Sequence, residues 1–142
     1  MGRYAGWEES DYGNLAMIQG VVEGGFRHFD MNHMPGYYAV SALVHLVVED
    51  AVIAGRSVSM LGGLIALGLA TKIAIRLGGQ RCGWLVGLLL AVQPEFALYS
   101  SSSLREPLAA AFVLGCVSLL ISERMAWAGV LAGLAFLVRF DL

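Results

Sequence analysis

The stretch Tyr99-Ser100-Ser101-Ser102-Ser103-Leu104-Arg105-Glu106-Pro107 is a polar island between two long apolar runs. Both flanks read as membrane helix. An arginine and a glutamate side by side at the mouth of such a run are costly to keep there, and ionisable residues at that depth mark a site by default. Residues 82–99 precede the island and 105–121 follow it, and windowed hydropathy adds 54–76 and 125–140 as further spans. The later spans are short, which predicts tilt or burial within a bundle.

The rest of the composition agrees. The 142 residues are 58% hydrophobic and 14% charged, against roughly 25% charged in soluble domains, and the mean hydropathy is +0.70. The net charge of -2 excludes a general attraction to nucleic acid. Three histidines and two cysteines are too few for a Cys/His metal framework. Cys82 and Cys116 fall in apolar runs and read as reduced packing residues. The expected fold class is therefore an all-α polytopic membrane protein with about four spans plus juxtamembrane helices.

The N-terminal part reads differently. Residues 1–35 form a polar-to-mixed region and residues 36–142 a membrane region. Leu15, Ile18 and Val22 recur at helical spacing, Ser10 or Asp11 suits an N-cap, and Gly24-Gly25 supplies a stop. This predicts a short amphipathic helix over 12–23, on the membrane surface or under a loop. The loop Gly25–Met34 follows, and Pro35 suits the first turn of a new helix. That helix, 36–48, is apolar but well short of the ~20 residues a span needs. It reads as juxtamembrane or partly inserted. Nothing before Trp7 can span a bilayer, and Arg139-Phe140-Asp141-Leu142 stops as a span ends, so the chain is expected to be a fragment of a longer protein.

Lysine and arginine set the expected orientation. Lys72, Arg76 and Arg81 crowd the 77–82 connection and Arg124 lies in the 122–125 connection, so alternation puts both on one side, assigned as cytoplasmic. The opposite face then carries the serine island, Arg139 and residues 1–35. Of the eleven acidic residues, only Glu123 falls outside that face. Acidic residues do not set topology, so the skew asks for a metal-binding or acid–base site there. Small-residue pairs, Gly83 with Gly87, Gly129 with Gly133, and Gly63 beside Ala66 and Ala70, either permit close helix packing or reflect ordinary membrane-helix composition.

Several residues then carry two readings. Glu8, Glu9 and Asp11 are either an acid–base cluster or solvated carboxylates stabilised by a helix dipole. Glu106 is either a site carboxylate or a helix-start glutamate. The helix-start reading leaves Arg105 unexplained, whereas a guanidinium matches phosphate oxygens bidentately. Asp30 and His33, together with Glu106, would make a mixed N/O metal set, or the loop pair is ordinary polarity. His28, between Phe26 and Phe29, reads as interfacial and His45 as packed or hydrogen-bonded. Arg56 faces headgroups or snorkels, and Glu95 lies near the outer end of its span.

The order of motifs resembles a known family. It runs from Glu8-Glu9-Ser10-Asp11-Tyr12 through Pro35-Gly36-Tyr37 and Arg56-Ser57 before a span. A short basic connection leads to Pro94…Tyr99-Ser100, then Glu106-Pro107-Leu108, and a last span holds Ala128-Gly129, Gly133 and Arg139. This resembles the N-terminal part of GT-C fold membrane glycosyltransferases, in particular the protein O-mannosyltransferase and aminoarabinose transferase-like superfamily, over nearly all of residues 7–142. The motifs are individually degenerate, and Glu8 stands where the family commonly has aspartate.

The resemblance implies a partial GT-C-like bundle whose full enzyme inverts configuration while moving a sugar from a polyprenyl-phosphate donor to an acceptor. It implies Glu8, Glu9 or Asp11 as base, Glu106 as second acid, and Arg105 and Arg139 as donor-phosphate contacts. Asp30, His33 and Glu106 are implied as ligands of a divalent metal ion. The implied location is a prokaryotic plasma membrane with the site on the periplasmic or extracellular face, in contact with membrane lipid. The rival expectation is a polytopic transporter or assembly subunit without catalysis, or a truncated inactive copy. No Gly-rich phosphate loop, DNA-reading motif or nucleophile triad is visible.

Overall fold

Helix α3 organises the molecule. In a computed structural model, residues 5–24 and 35–139 are described, with side chains for 13–24 and 35–139. Among these residues there are six helices and no strand. They are α1 (Ala5–Gly24), α2 (Pro35–Val48), α3 (Ala51–Val92), α4 (Pro94–Ser101), α5 (Glu106–Leu120) and α6 (Met125–Val138). The all-helical class is as expected from the sequence.

Asp50 starts α3 by accepting hydrogen bonds from the N–H groups of Val52 at 2.8 Å and Ile53 at 3.0 Å, two donors the first turn otherwise leaves unsatisfied. About two thirds of the way along, Gly79 has φ 81° and ψ 177°, a conformation essentially reserved for glycine. The helix reverses there. Gly83 lies against Ile75, and Gly87 against Thr71. These pairs would be more than 10 Å apart along a straight helix at ~1.5 Å per residue. The two arms, 51–78 and 80–92, thus form an antiparallel hairpin. Their small residues sit at its seam, as the spacing of Gly83 and Gly87 anticipates.

The second arm differs from the sequence expectation. A continuous span over 82–99 is interrupted at Gln93, whose ψ of 118° is extended. The cause is local. Proline disfavours helical geometry in the residue before it, and Pro94 then occupies the first turn of α4. Helix α5 runs parallel to the first arm, with Leu104 at Ser59, Leu108 at Gly62, Gly115 near Leu69 and Ser122 at Arg76. Helix α6 returns antiparallel, with Leu131 against Gly115 and Arg139 beside Glu106. Gly129 and Gly133, expected to serve packing, have nothing within 4 Å of a built Cβ among the described residues.

Two ends result. One gathers the starts of α3 and α5, the start of α2, the end of α6 and the middle of α1, and is called the serine end below. It holds the buried core of Ile18, Tyr37, Tyr38, Ala51, Val58, Ala109 and Val138. The other holds the Gly79 turn and residues 121–124, and is called the basic end. The hydrogen bond from Arg76 to Ser122 puts the 77–82 and 122–125 connections together, as alternation requires.

Among the described residues one helix, Ala51–Val92, is long and apolar enough to cross a membrane. Its first arm alone exceeds the ~30 Å of a hydrocarbon core. Pro94–Ser101 and Glu106–Leu120 reach that length only as a pair bent by 110°, and Pro35–Val48 and Met125–Val138 are shorter apolar helices.

Candidate functional site

The serine island is held by polar side chains of α1 and α3, which tyrosines of α2 hydrogen-bond in turn. Ser59 on α3 contacts both backbone groups of Leu104: its hydroxyl donates to the carbonyl at 2.7 Å, and the Leu104 N–H donates back to its oxygen at 3.1 Å. Tyr37 on α2 donates to the Gly55 carbonyl at 3.0 Å and lies 3.2 Å from the Ser59 hydroxyl. Asn14 on α1 donates through Nδ2 to the Ser103 carbonyl at 2.9 Å and accepts from the Tyr38 hydroxyl at 2.6 Å. Buried backbone groups without partners are expensive, and this irregular segment has its partners supplied from elsewhere in the chain. The close approach is made possible by Gly55, where a Cβ would meet Ser103 and Ile18.

What the segment positions is Glu106. It opens α5, where a carboxylate is favoured by the unsatisfied N–H groups of the first turn. Its Oε1 accepts from Arg139 Nη1 at 3.2 Å. Each side chain is about one third exposed, 32% for Glu106 and 30% for Arg139, so the pair is worth at most about 1 kcal/mol of stability. Oε2 of Glu106 is buried with no hydrogen-bond partner among the described residues, an acceptor left open beside a fixed cation. Arg139 also stands at the mouth of an apolar groove of about 280 Å³ between α5 and α6, lined by Val113, Cys116, Val117, Ala135 and Phe136. Apart from the guanidinium of Arg139, its lining side chains are apolar.

Glu106 and Arg139, separated by 33 residues, are brought into contact. Arg105 is half-buried at the N-cap position of α5, with no side-chain cap hydrogen bond. Glu8, Glu9 and Asp11 were expected in a loop, with Ser10 or Asp11 as the cap of a helix over 12–23. Helix α1 instead begins at Ala5 and includes all four. No proline interrupts this stretch, and acidic residues favour a helix's first turns. The side chains of Glu8, Glu9 and Asp11 lie outside the described residues, as do Asp30, His33 and His28 altogether.

The metal set Asp30, His33 and Glu106 is thus described only at Glu106, a single carboxylate already paired with a guanidinium. No group of three His, Cys, Asp or Glu converges among the described residues. His45 is packed rather than hydrogen-bonded at Nδ1, which is buried without a partner. Cys82 and Cys116 are free and half-buried, in keeping with packing roles.

Sequence reasoning missed Asn14, Tyr38 and Ser59. The available signal was register. Asn14 lies four residues before Ile18 on one helix face, and Ser59 is a hydroxyl inside an otherwise apolar span. Comparison with family models, curated proteins and solved structures finds no match to this chain.

Proposed function

We propose that the chain is the N-terminal part of an inverting membrane glycosyltransferase that uses a polyprenyl-phosphate sugar donor, with the serine end as the reacting end. The observation that carries this reading is the junction of α1, the serine island and the end of α6. Asn14 ties α1 to Ser103, and Arg139 ties α6 to Glu106 three residues on. A base, a second carboxylate and a phosphate-binding guanidinium need that proximity. The apolar groove ending at Arg139 suits a polyprenyl tail. Exposed Trp84, Leu88, Leu89, Trp127 and Phe136 suit a lipid surround, and on this reading the chain is polytopic.

In the proposed reaction a carboxylate of α1 takes the proton of the acceptor hydroxyl. The oxygen attacks the anomeric carbon from the face opposite the phosphate. The carbon–phosphate-oxygen bond breaks with its electron pair on the phosphate, and Arg139 and Arg105 stabilise that charge. Helical period favours Asp11 as the base, because it stands three residues before Asn14 and seven before Ile18, in register with both. Glu9 falls on the opposite register and Glu8 at the margin.

Transfer from a radiolabelled polyprenyl-phosphate sugar, in membranes carrying the full-length protein, is the test. Asp11→Asn is expected to lower turnover by ~10²-fold or more, and Glu9→Gln to leave it within threefold. Glu106→Gln is expected to fall as Asp11→Asn does. Unchanged transfer in Asp11→Asn and Glu106→Gln together would overturn the assignment. Orientation is tested separately with single cysteines in a background free of Cys82 and Cys116. Ser101→Cys, at an exposed serine-end position, is expected to react with an impermeant reagent from outside, and Gln80→Cys only after permeabilisation.

The same ion pair favours a second reading, a clamp between α5 and α6 in a transporter or assembly subunit without catalysis. The exchange Glu106→Arg with Arg139→Glu separates the two. A clamp survives the exchange with stability and function intact, whereas a catalytic carboxylate does not.

A further inference from the structure

A charged hollow lies at the other end of the bundle. It is a cavity of about 710 Å³ lined by Lys72, Arg76, Ser118, Ser122, Glu123 and Arg124, with Leu119 and Ile121 on its wall. Three cations face one carboxylate. No ion pair joins Glu123 to any of them among the described residues, so the hollow keeps a net positive charge. Arg76 is also oriented rather than loose. Its Nη1 donates to the Ser122 hydroxyl, which in turn donates to the Ser118 carbonyl at 2.8 Å. That leaves the remaining N–H donors of a held guanidinium turned to an acceptor of opposite charge.

The backbone around Arg124 is built as well. Helix α5 ends in a reversal in which the Arg124 N–H reaches the Leu119 carbonyl and the Glu123 N–H the Leu120 carbonyl, both at 3.0 Å. This is a Schellman closure whose left-handed position, usually glycine, is Glu123 at φ 57°. A non-glycine residue there is unfavourable, yet the closure carries Arg124 to the cavity wall opposite Arg76. Ile121 on the wall is an exposed apolar side chain, as are Leu77 and Met125, the chain neighbours of the lining residues Arg76 and Arg124.

We propose that this cavity binds the phosphate of an anionic membrane lipid, with Arg76 and Arg124 as the principal contacts and Lys72 as a third charge. The proposal rests on the membrane reading of the chain but not on catalysis. Lysine and arginine near helix C-termini also offset the helix dipole, but that role asks for neither a hollow nor a guanidinium held by a serine. The apolar wall of Leu119 and exposed Ile121, with exposed Leu77 and Met125 next in the chain to the two arginines, favours a lipid over a free phosphate, since a bare phosphate has no use for apolar surface beside its charges.

The test uses the full chain in nanodiscs of phosphatidylcholine with a minor fraction of phosphatidylglycerol, followed by controlled delipidation and native mass spectrometry. The wild type is expected to retain phosphatidylglycerol well above its bulk fraction. Arg76→Gln with Arg124→Gln is expected to lower that enrichment by about 30-fold, taking each juxtamembrane cation at about 1 kcal/mol. Lys72→Gln makes no hydrogen bond that its loss could break, and about a fivefold reduction is expected from charge alone. Helical content by circular dichroism reports whether each variant has kept its fold.

Equal enrichment in the wild type and in folded variants would overturn the proposal. A second arm adds inorganic phosphate to the wild type. Displacement of phosphatidylglycerol only at concentrations far above those of the lipid supports a lipid site. Displacement at equimolar phosphate would make the ligand a soluble phosphate and overturn it. Transfer activity at the serine end is a separate measurement, so either reading can fail alone.

Discussion

The two ends of the bundle are held by different means. At the serine end, Asn14, Tyr37, Tyr38 and Ser59 are buried and their polar atoms pair with one another or with backbone. Glycines let backbones approach. At the basic end, Lys72, Arg76, Glu123 and Arg124 are exposed, and one serine–arginine contact bridges the helices. Buried hydrogen bonds have no water to replace them, whereas exposed ones do. The serine end is therefore expected to be rigid and intolerant of change, and the basic end tolerant in stability but sensitive in what it binds.

The largest effect should come from the seam where the backbones of α3 and α5 meet. At Gly62 a Cβ would lie 2.8 Å from both N and Cα of Leu108, and backbone atoms of a packed helix cannot turn aside. Gly62→Val is expected to destabilise by about 3 kcal/mol or to prevent folding. Gly68 lies on the same arm with nothing within 4 Å, and Gly68→Ala should stabilise by roughly 0.5–1 kcal/mol through helix propensity alone. Denaturant titration in detergent compares them. Equal effects would mean that α3 and α5 do not meet as described.

Ser59→Ala comes next. The substitution removes the hydroxyl that donates to the C=O of Leu104, while the N–H, which also reaches the Ser102 carbonyl at 2.8 Å, keeps an acceptor, in a segment where Leu104 is 5% exposed. A cost of about 1–2 kcal/mol is expected. If the serine positions Glu106, proton exchange at the amides of 103–106 should rise more than elsewhere. Loss of stability without that local change would reduce Ser59 to a packing residue.

These differences also explain what could be read from the sequence. The pairing of the 77–82 and 122–125 connections was legible, because basic residues at span ends declare themselves by type and position. The break at Gln93-Pro94 was obscured because hydropathy runs through it, although the proline is a local stop signal. The site was legible at Glu106 and Arg139 as residues worth noting, and their contact came from the antiparallel return of α6. Asn14 and Ser59 went unmarked because a single small polar residue in an apolar run has no distinguishing sequence context. Only the fold brings them to Ser103 and Leu104. The length of α1 was underestimated because Ser10 and Asp11 look like caps, and cap chemistry is the same whether the helix starts there or passes through.

A smaller effect distinguishes the two left-handed residues. Glu49 at φ 59° closes α2 and Glu123 at φ 57° closes α5. Replacing either with glycine relieves the left-handed strain and is expected to stabilise by about 1 kcal/mol. At Glu123 the change also removes the sole carboxylate of the basic cavity. Glu123→Gly should therefore raise phosphatidylglycerol retention about fivefold, while Glu49→Gly should leave it unchanged. Equal retention in both would show that Glu123 does not sense the cavity's occupant.

The smallest stability effect is expected at Ser122, and it asks the sharpest question of the basic end. Ser122→Ala removes the hydroxyl that Arg76 contacts and that caps back on Ser118. The arginine is exposed and can exchange its lost partner for water, so the melting temperature should move by no more than the equivalent of about 0.5 kcal/mol. The charge of the cavity is untouched. If binding there depended on charge alone, lipid retention would be unchanged. If it depends on a guanidinium held in one direction, retention should fall while stability does not, and Arg76→Lys, which keeps the charge and loses the fork, should fall by the same amount. Agreement between those two variants would make orientation the second function of the Arg76–Ser122 contact; retention that follows charge and ignores both would leave it a weak bridge between α3 and α5.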